Sequence, residues 1–307
     1  MIYTITFNPS LDYVLKVPEL SIGKINRSEN EKIYIGGKGI NVSRVLNTLG
    51  MKSIPLGFIA GFTGKELKSK LIDSGIEPEF IEVREGNTRI NIKIKGQMET
   101  AINANGPNIN DYSIALLLKQ IDDLDSNDIV VLAGYVPSTI DSSIYALICK
   151  KLYDKNIPFV VDTSGKHLID SLKYNPFLIK PNKEELEECL GIKVLSIDDL
   201  RKGIKRLQEL GALNVLVSLG EDGAMLIDDE GNEYELEVLS TLEYNGNTYL
   251  AVIPAAQSAD QLELEVSVLK STEENGEAIL SVIEDEAEME AVYDLIMDSL
   301  YEEDEEE

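Results

Sequence analysis

Short apolar runs alternate with amphipathic stretches along the first three quarters of the chain. The runs lack the apolar–polar alternation of a half-exposed strand, and they are too short to be helices. Unbroken runs of this kind are typical of strands buried on both faces, as in a parallel sheet covered by helices. They occupy residues 2–7, 54–60, 129–133, 159–161, 177–179, 215–219 and 224–227. The pattern predicts a doubly wound α/β architecture.

The amphipathic stretches between the runs have recognisable helix ends. Thr63 and Glu66 have the spacing of a capping box, and Gly75 lies where that helix is expected to end. Ser196 is the expected cap of another helix, which ends near Gly211. Helices are therefore expected between the strands.

Two stretches depart from this rhythm, at about residues 12–35 and 88–104. In the second, isoleucines and polar residues alternate strictly, so they are expected on opposite faces of a strand. The isoleucines are Ile90, Ile92 and Ile94, and the polar residues are Asn91, Lys93 and Lys95. Both stretches predict antiparallel strands outside the main sheet, as the walls of a lid.

The texture changes again after residue 227. Residues 234–239 and 262–269 alternate apolar with acidic positions, as antiparallel strands with one solvated face do. Asn245-Gly246 is a hairpin signal. Residues 286–300 have helical spacing. A small β-rich domain with a terminal helix is the expected result.

Charge changes at the same place. From Asp228 to the end lie 26 acidic residues and one lysine, Lys270, whereas the preceding part holds the other 29 acidic and 27 basic residues. Almost the whole formal charge of −27 therefore belongs to the last quarter. The like-charge run at residues 302–307 is expected to be disordered.

Composition narrows the classes of function. The acidic balance argues against nucleic acid, whose phosphates require a basic face. No apolar stretch approaches the ~20 residues that span a bilayer, so no membrane partner is expected. Cys149 and Cys189 have no metal-ligand spacing and indicate a reducing compartment. No signal-peptide pattern opens the chain, and we expect a cytoplasmic protein.

Two segments near the N-terminus carry candidate chemistry. In GGKGIN, residues 36–41, glycines allow close approach of a ligand and amides at a helix start can face an anion. Lys38 adds a charge and Asn41 a donor and an acceptor. Asp12 follows the first strand in NPSLD and is well placed for sugar hydroxyls. A tight turn and an ordinary Asn-Pro turn are the alternatives.

Two later segments also follow predicted strands. In KPNKEE, residues 180–185, a carboxylate and an amide could reach Mg²⁺ through water, or could simply begin a helix. In SLGEDG, residues 218–223, the glycines could form a nucleotide shelf or a plain hairpin.

Together, in this order and spacing, these segments resemble the ribokinase-type sugar kinases, and within them the 1-phosphofructokinases most closely. The resemblance covers residues 1–226 and is carried by TITFNPSLDY, INRS, GGKGINVSRVLNTLG, GFTG, NTRINIKI, VDTSGKHL, LIKPNKEEL and NVLVSLGEDGAML. It implies a ribokinase-like three-layer α/β sandwich with a mostly parallel sheet and a small β lid.

The resemblance also implies an activity, which is transfer of the γ-phosphate of ATP, with Mg²⁺, to the free primary hydroxyl of a phosphorylated ketose. Fructose 1-phosphate, or a relative such as tagatose 6-phosphate, would be the substrate. The implied sugar-site residues are Asp12, Arg27, Gly37, Lys38, Asn41 and Arg89. The implied ATP·Mg²⁺ residues are Lys180, Asn182, Glu185, Ser218 and Gly220, with Glu185 reaching the metal through water.

In this resemblance Arg27 and Arg89 would meet the existing phosphate, because guanidinium forks suit a phosphate dianion. Surface ion pairs are the alternative role for both. The lid strands of related kinases often pair between subunits, so a homodimer through the lid is expected. The single histidine, His167, is expected to be structural.

Two departures from the family pattern stand out. The family's Ser-Gly-Ser is replaced by Ala-Gly-Tyr at residues 133–135. The family's Gly-Ala-Gly-Asp, whose amides stabilise the transferring phosphoryl group and whose Asp takes the hydroxyl proton, has no counterpart in residues 227–307. No catalytic base is therefore assigned. Residues 227–301 instead resemble a short acidic bacterial family of unknown function, so the kinase domain is expected to be incomplete at its C-terminal end.

Three hypotheses follow. The chain is a phosphosugar kinase with impaired turnover, a non-catalytic binder of phosphosugar or nucleotide, or a fusion or truncation product whose kinase part is unstable.

Overall fold

A computed structural model describes residues 1–245, 247–254, 267–274, 277–283 and 285–303. The chain divides into two compact units, Met1–Phe177 and Leu178–Glu307. Residues 304–307 of the tail predicted to be disordered, and the first part of the strand predicted at 262–269, lie outside the described residues. The first two residues of that tail, Glu302 and Glu303, belong instead to the last helix of the chain.

The first unit contains a main sheet and a lid sheet. Its strands are β1 (Ile2–Thr6), β2 (Ser10–Lys16), β3 (Asn30–Gly36), β4 (Ser53–Ala60), β5 (Ile81–Val83), β6 (Arg89–Lys95), β7 (Thr100–Ile102), β8 (Ile129–Ala133) and β9 (Phe159–Asp162). Its helices are α1 (Lys38–Thr48), α2 (Gly61–Asp73), α3 (Asp111–Asp122), α4 (Ile144–Asp154) and α5 (Gly165–Leu172).

The main sheet of this unit is parallel, in the order β9-β8-β1-β4-β5. Its apolar runs are the predicted ones, and only the short β5 was not predicted. Alternate positions of β1 point to opposite faces. Thr4 meets Ser43 of α1, with 2.8 Å between the hydroxyl oxygens, whereas Phe7 packs toward Tyr145 of α4. Helices therefore cover both faces, as the α/β prediction requires.

One predicted helix start is wrong. Helix α2 begins at Gly61, with Ala60 as its cap and no side-chain capping bond. Thr63 instead donates its hydroxyl to the carbonyl oxygen of Thr88, 2.8 Å away. The hydroxyl that was assigned to a cap is used to join α2 to the segment before β6.

The lid sheet has the order β3-β2-β6-β7. The strands predicted at 12–35 and 88–104 are confirmed, but β2 pairs with β6 in parallel, whereas the pattern predicted antiparallel strands. The buried face of β6 is the polar one. Asn91 is 2% exposed and Lys93 9%, while Ile90 is 39% exposed. The reversed burial indicates that this lid covers something polar.

The second unit continues from the kinase-like strands into the acidic strands. Its elements are β10 (Leu178–Ile179), α6 (Lys183–Leu190), α7 (Ile197–Glu209), β11 (Asn214–Ser218), β12 (Ala224–Ile227), β13 (Glu233–Tyr244), β14 (Asn247–Pro254), β15 (Ser267–Glu274), β16 (Glu277–Val282) and α8 (Glu286–Glu303). These strands lie in chain order within one sheet, and only the β10–β11 pair is parallel. The predicted domain boundary at residue 226/227 falls within β12, and β12 pairs directly with β13 of the acidic part. That boundary therefore stays a prediction.

Burial in this unit differs from the prediction. The runs at 215–219 and 224–227 were expected to be covered on both faces. Val215 and Val217 are fully buried, but Leu216 of β11 and Leu226 of β12, which lie opposite each other, are only half-buried. The reason is that β12 is antiparallel to β11, so no crossover helix accompanies it.

The acidic part of the unit has its own small core. Tyr249 and Ala251 of β14 pack with Val292 and Ile296 of α8. Beside them Lys270 donates a 2.7 Å hydrogen bond to Glu288, which also accepts the hydroxyl of Tyr249. The hairpin predicted at 245–246 is confirmed by the pairing of β13 with β14, and the predicted terminal helix is confirmed as α8.

The Lys270 ion pair predicts a pH-dependent stability. Burial is the largest single influence and lowers the pKa of Lys270, but its hydrogen bonds and charge interactions with Glu288 and Tyr249 together outweigh burial, so the pKa is raised. A raised lysine pKa adds stability that is complete below its ordinary value, about 10.5, and is lost as pH rises through the folded value. We expect Lys270→Met to lower the free energy of unfolding by about 1 kcal/mol at pH 7. Urea unfolding should show this difference shrink above about pH 10.5 and vanish only once the pH exceeds the raised pKa of Lys270.

The control for this measurement is Lys202→Met. Lys202 is an exposed lysine on α7, 3.7 Å from Asp199. Equal effects of the two substitutions would contradict the role given to the Lys270 pair.

Thiol labelling tests whether the first unit is well packed. Cys149 is buried on α4 and burial raises the pKa of its thiol, whereas Cys189 on α6 is half-buried. We expect iodoacetamide to modify Cys189 in the folded protein and Cys149 only after unfolding, as read by mass spectrometry. Comparable labelling of both thiols under native conditions would support the hypothesis of an unstable kinase part.

Candidate active site

The glycine segment at the end of β3 lies against the ends of β1 and β2. A Cβ atom on Gly36 would lie 2.5 Å from the Ser10 hydroxyl oxygen and 2.7 Å from Asp12 Oδ2. Gly37 has a φ of 128°, and a Cβ there would lie 2.9 Å from Thr6 Cγ2. Side chains at both positions are therefore excluded by contact, and this close approach sets where Asp12 lies.

Asp12 is the centre of a buried polar cluster. Its Oδ1 accepts hydrogen bonds from the Ser10 hydroxyl at 2.8 Å and from Asn91 Nδ2 at 2.9 Å. Its Oδ2 lies 3.8 Å from Lys93 Nζ. The pairing of β2 with both β3 and β6 brings these side chains together, because Asp12 lies opposite Asn91 in register. The cluster therefore surrounds the buried carboxylate with three polar neighbours from β2 and β6.

Lys38 occupies the first position of α1, next to Gly37. Its Nζ donates to Asp162 Oδ1 at 3.3 Å, at the end of β9. Helix α1 has no side-chain cap and no acidic residue in its first turn. Its first amides and its dipole therefore favour an anion at this point.

The other predicted sugar-site residues are placed differently. Arg89 Nε donates to the carbonyl oxygen of Asn8 at 3.1 Å, so its guanidinium lies at the base of β6 beside the first strand's end. Asn41 is half-buried on α1. Arg27 lies in the exposed loop between β2 and β3, and no described hydrogen bond ties it to the Asp12 cluster.

The altered segment at residues 133–135 lies close to Lys38. A Cβ on Gly134 would lie 3.9 Å from Lys38 Cβ, and Tyr135, which follows, is 67% exposed. The carbonyl oxygen of Gly134 accepts the hydroxyl of buried Tyr145 at 2.6 Å. Burial strongly raises the pKa of Tyr145, so it is a neutral donor that fixes the end of β8. His167 packs against the Tyr145 ring, consistent with its expected structural role.

Sequence reasoning missed several site residues. Ser10, Asn91, Lys93 and Asp162 all contact a predicted residue, but none was assigned a function. Two of them, Asn91 and Lys93, could have been found from the sequence, because they are polar residues at alternate positions of a lid strand. Asn91 Oδ1 is buried without a described hydrogen-bond partner. The same holds for Thr6 Oγ1 and Asn8 Oδ1, which lie a few residues before Asp12 in the sequence. Buried acceptors without partners indicate a place where a ligand or water donates.

The second unit brings together the residues predicted for ATP·Mg²⁺. Asn182 and Glu185 form a reciprocal capping box at the start of α6, with bonds of 2.7 and 2.9 Å. Ser218 pairs with Asn182 across a parallel bridge and donates its amide to the carbonyl oxygen of Pro181. Lys180 directly precedes them, and Gly220 begins a short 3₁₀ turn at a φ of 65°. The hydrogen bonds of Asn182 and Glu185 thus show the alternative role, in which these residues begin a helix. A role in holding a metal stays a prediction.

The donor set fits a magnesium ion that is held chiefly by phosphates and water. One carboxylate and one amide, both anchored by the capping box, suit such an ion better than a full protein cage. Within the described residues no group of three or more His, Cys, Asp or Glu could hold a metal by itself. No helix in that part of the chain is long and apolar enough to cross a membrane.

The Gly36 contact gives a direct test of the site geometry. We expect Gly36→Ala to displace Asp12 and weaken binding of fructose 1-phosphate at least about tenfold, since misplaced positioning groups lose most of their effect. The control is Gly50→Ala, where nothing lies within 4 Å of the added Cβ and only the positive φ of 74° is unfavourable. That variant should lose up to about 1 kcal/mol of stability with unchanged binding in calorimetry. Equal binding by both variants would contradict the geometry.

Comparisons with known proteins identify the family of this chain. The model of the pfkB family carbohydrate kinases matches residues 7–241, and that of a protein family of unknown function, DUF1292, matches residues 229–301. The two matches overlap on β13.

Two curated relatives carry the same activity name. The 1-phosphofructokinase of Bacillus subtilis is 43% identical over 230 residues, 75% of this chain and 76% of that protein. The 1-phosphofructokinase of Borreliella burgdorferi is 42% identical over 228 residues, 74% of each chain. Among solved structures, phosphofructokinase-2 from Escherichia coli in complex with fructose-6-phosphate aligns with a TM-score of 0.74 at 28% identity, covering 79% of this chain and 82% of that one. The chain therefore belongs to the pfkB family of carbohydrate kinases, with its ribokinase-like α/β fold.

Proposed function

We propose that this protein is a phosphosugar kinase of the 1-phosphofructokinase type with low turnover. It would convert fructose 1-phosphate and ATP to fructose 1,6-bisphosphate and ADP. The single observation that supports this best is the buried polar cluster around Asp12. Burial of charges and amides costs several kcal/mol unless they are paired or used by a ligand. On lid strand β6 the polar residues of this cluster, Asn91 and Lys93, are buried, whereas Ile90 is exposed.

The residues divide the work by chemistry. Asp12 accepts hydrogen bonds from sugar hydroxyls and so orients the ketose. Arg89, with Arg27 on the neighbouring loop, binds the phosphate already on the sugar through guanidinium forks. Lys38 and the uncapped start of α1 stabilise negative charge where the phosphoryl group is transferred.

The second unit supplies the nucleotide side of the reaction in this proposal. Ser218 and Gly220 would hold ATP, and Lys180 would pair with its phosphates. Asn182 and Glu185 would hold Mg²⁺ through water, and the ion offsets charge on the phosphates when bound.

Turnover is low because residues 227–307 contain no Gly-X-Gly-Asp. The attacking hydroxyl then loses its proton to water, and no helix-start amides from that motif meet the transferring group. Loss of one such donor costs about 10²–10³ in rate. The transition state of phosphoryl transfer is loose, so positioning by the remaining residues still permits a slow reaction.

The same absence favours a second candidate, a non-catalytic protein that binds the phosphosugar. It shares the Asp12 cluster with the kinase and differs only in turnover. A homodimer through the lid is also proposed, supported by the exposure of Ile33, Ile90 and Ile102 on the lid strands, and a cytoplasmic location is proposed with it.

A coupled ADP assay on the intact chain tests the activity. We expect ADP release that requires both fructose 1-phosphate and Mg²⁺, and that falls to the sugar-free rate in Asp12→Asn. Asp122→Asn is the matched control, since Asp122 forms an exposed 2.7 Å pair with Lys151 on the surface. A chimera bearing a Gly-Ala-Gly-Asp C-terminal segment should be faster by at least about 10².

The assay also separates the candidates. ADP release equal to the sugar-free control, together with a saturable thermal shift by fructose 1-phosphate, would identify the binder. No turnover and no shift at millimolar ligand would reject both.

A further inference from the structure

We propose that Asn91 is a specificity-determining residue of the sugar site and that its Oδ1 accepts a hydrogen bond from a secondary hydroxyl of the ketose. Asn91 then contacts the substrate directly, beside Asp12, through an atom to which no described group of the protein donates. The inference rests on the proposed function, because it concerns the same site. It adds to that function a residue that distinguishes sugars by their hydroxyl groups.

Strand pairing places Asn91 beside Asp12. Strands β2 and β6 are parallel, and Asp12 lies opposite Asn91 in register. Partner positions of neighbouring strands present their side chains on the same face of a sheet. That face of the lid sheet is buried at this point, since Asn91 is 2% and Asp12 4% exposed. A sugar hydroxyl that meets Asp12 on this face therefore comes within reach of Asn91.

The orientation of the Asn91 amide is decided by its neighbour. Its Nδ2 donates to Asp12 Oδ1 at 2.9 Å, and the same oxygen accepts the Ser10 hydroxyl at 2.8 Å. A carboxylate accepts hydrogen bonds, so the amide group that faces it must be the NH₂ donor. The opposite orientation would set two acceptor oxygens against each other. Asn91 Oδ1 consequently points away from Asp12 Oδ1.

The amide oxygen is the part of Asn91 that the described protein groups leave unused. Asn91 Oδ1 is buried and has no hydrogen-bond partner there. An acceptor of this kind is expected where a ligand or a bound water donates. Ketose hydroxyls are such donors, whereas a phosphate dianion supplies only acceptors and is repelled by the carboxylate of Asp12. The chemistry therefore assigns the hydroxylated part of the substrate, and not its phosphate, to Asn91.

Two secondary hydroxyls of fructose 1-phosphate are the candidate donors, those at C3 and C4, because the C6 hydroxyl is the one that the proposed reaction phosphorylates. A site that hydrogen-bonds a substrate hydroxyl discriminates against the analogue that lacks it, because the buried group of the site is then left unpaired. The 3-deoxy and 4-deoxy analogues of fructose 1-phosphate each remove one donor. One of the two should lose the contact with Asn91.

Calorimetric titration without ATP tests the proposal as a double-mutant cycle between residue and ligand. In the unaltered protein, one deoxy analogue should bind at least about tenfold more weakly than fructose 1-phosphate. Asn91→Leu removes both the donor and the acceptor of this side chain. In that variant the same two ligands should differ by less than about threefold. A tenfold difference retained in Asn91→Leu, or no weakened analogue in the unaltered protein, overturns the proposal and leaves water as the donor.

Two control variants separate direct contact from other effects. Asn47→Leu removes an exposed amide at the far end of α1, which donates to the carbonyl oxygen of Ser74 at 3.1 Å, and it should keep the full difference between the ligands. Ser10→Ala removes the other donor to Asp12 Oδ1 and leaves Asn91 in place. It should also keep the difference. Loss of the difference in Ser10→Ala would show that the effect passes through Asp12, and would overturn direct contact by Asn91.

The remaining outcomes are also decisive. If Asn91→Leu loses cooperative unfolding in urea, Asn91→Ala takes its place in the cycle with the same expected result. Failure of the unaltered protein to bind fructose 1-phosphate overturns the proposed function, and the inference with it. Binding of fructose 1-phosphate with equal deoxy effects in the unaltered protein and the Asn91 variant overturns the inference alone.

Discussion

The contact of the glycine segment with the first two strands is the constraint on which the sugar half of the site depends. A side chain on Gly36 would collide with the Ser10 hydroxyl and the Asp12 carboxylate, and a side chain on Gly37 would collide with Thr6. Because the backbone of β3 lies this close, Asp12 is held on the buried face of the lid sheet with its donors in place. The same segment starts α1 and brings Lys38 to the ends of β8 and β9. One close approach thus positions both Asp12 and Lys38, to which the proposed function assigns sugar hydroxyls and the transferring phosphoryl group.

The lid shows what a local sequence pattern can and cannot predict. Alternation along β6 correctly predicted a strand with isoleucines on one face and polar residues on the other. A pattern does not say which face is buried, and the usual expectation is the apolar one. Here Asn91, which lies opposite Asp12, and Lys93, 3.8 Å from its carboxylate, are buried beside a strand about eighty residues earlier in the chain. Long-range pairing decides burial, so the local alternation marks Asn91 and Lys93 as candidates but does not by itself assign them to the site.

Helix starts illustrate the same limit at shorter range. Ser196 caps α7 as predicted, because its acceptor and the Asp199 amide are neighbours in sequence. Thr63 fails as a cap because Thr88, brought close by the fold, competes for its hydroxyl. The capping box of Asn182 and Glu185 is equally local, and it occupies side chains for which the family resemblance implies a role in binding ATP·Mg²⁺. Structural and functional uses of one residue are not exclusive, and hydrogen bonds alone do not distinguish them.

In the second unit, the apolar strands β11 and β12 are followed by β13, in which apolar and acidic residues alternate. Val215 and Val217 are buried beneath α6 and α7, while Leu216 and Leu226 on the other face are half-buried. Strand β12 continues by hairpin pairing into β13, so the acidic strands extend a sheet that begins with family strands. The chain thus combines the Asp12 cluster with a last quarter that extends the sheet by acidic strands and contains no Gly-X-Gly-Asp.

Hydrogen exchange with and without fructose 1-phosphate tests the central claim, that the Asp12 cluster and the glycine segment form a ligand site without that motif. Amides of β6, residues 89–95, and of residues 36–41 should gain protection on addition of the ligand, while those of β13 and β14 should not change. Protection confined to the acidic strands, or no change anywhere at saturating fructose 1-phosphate, would contradict the account.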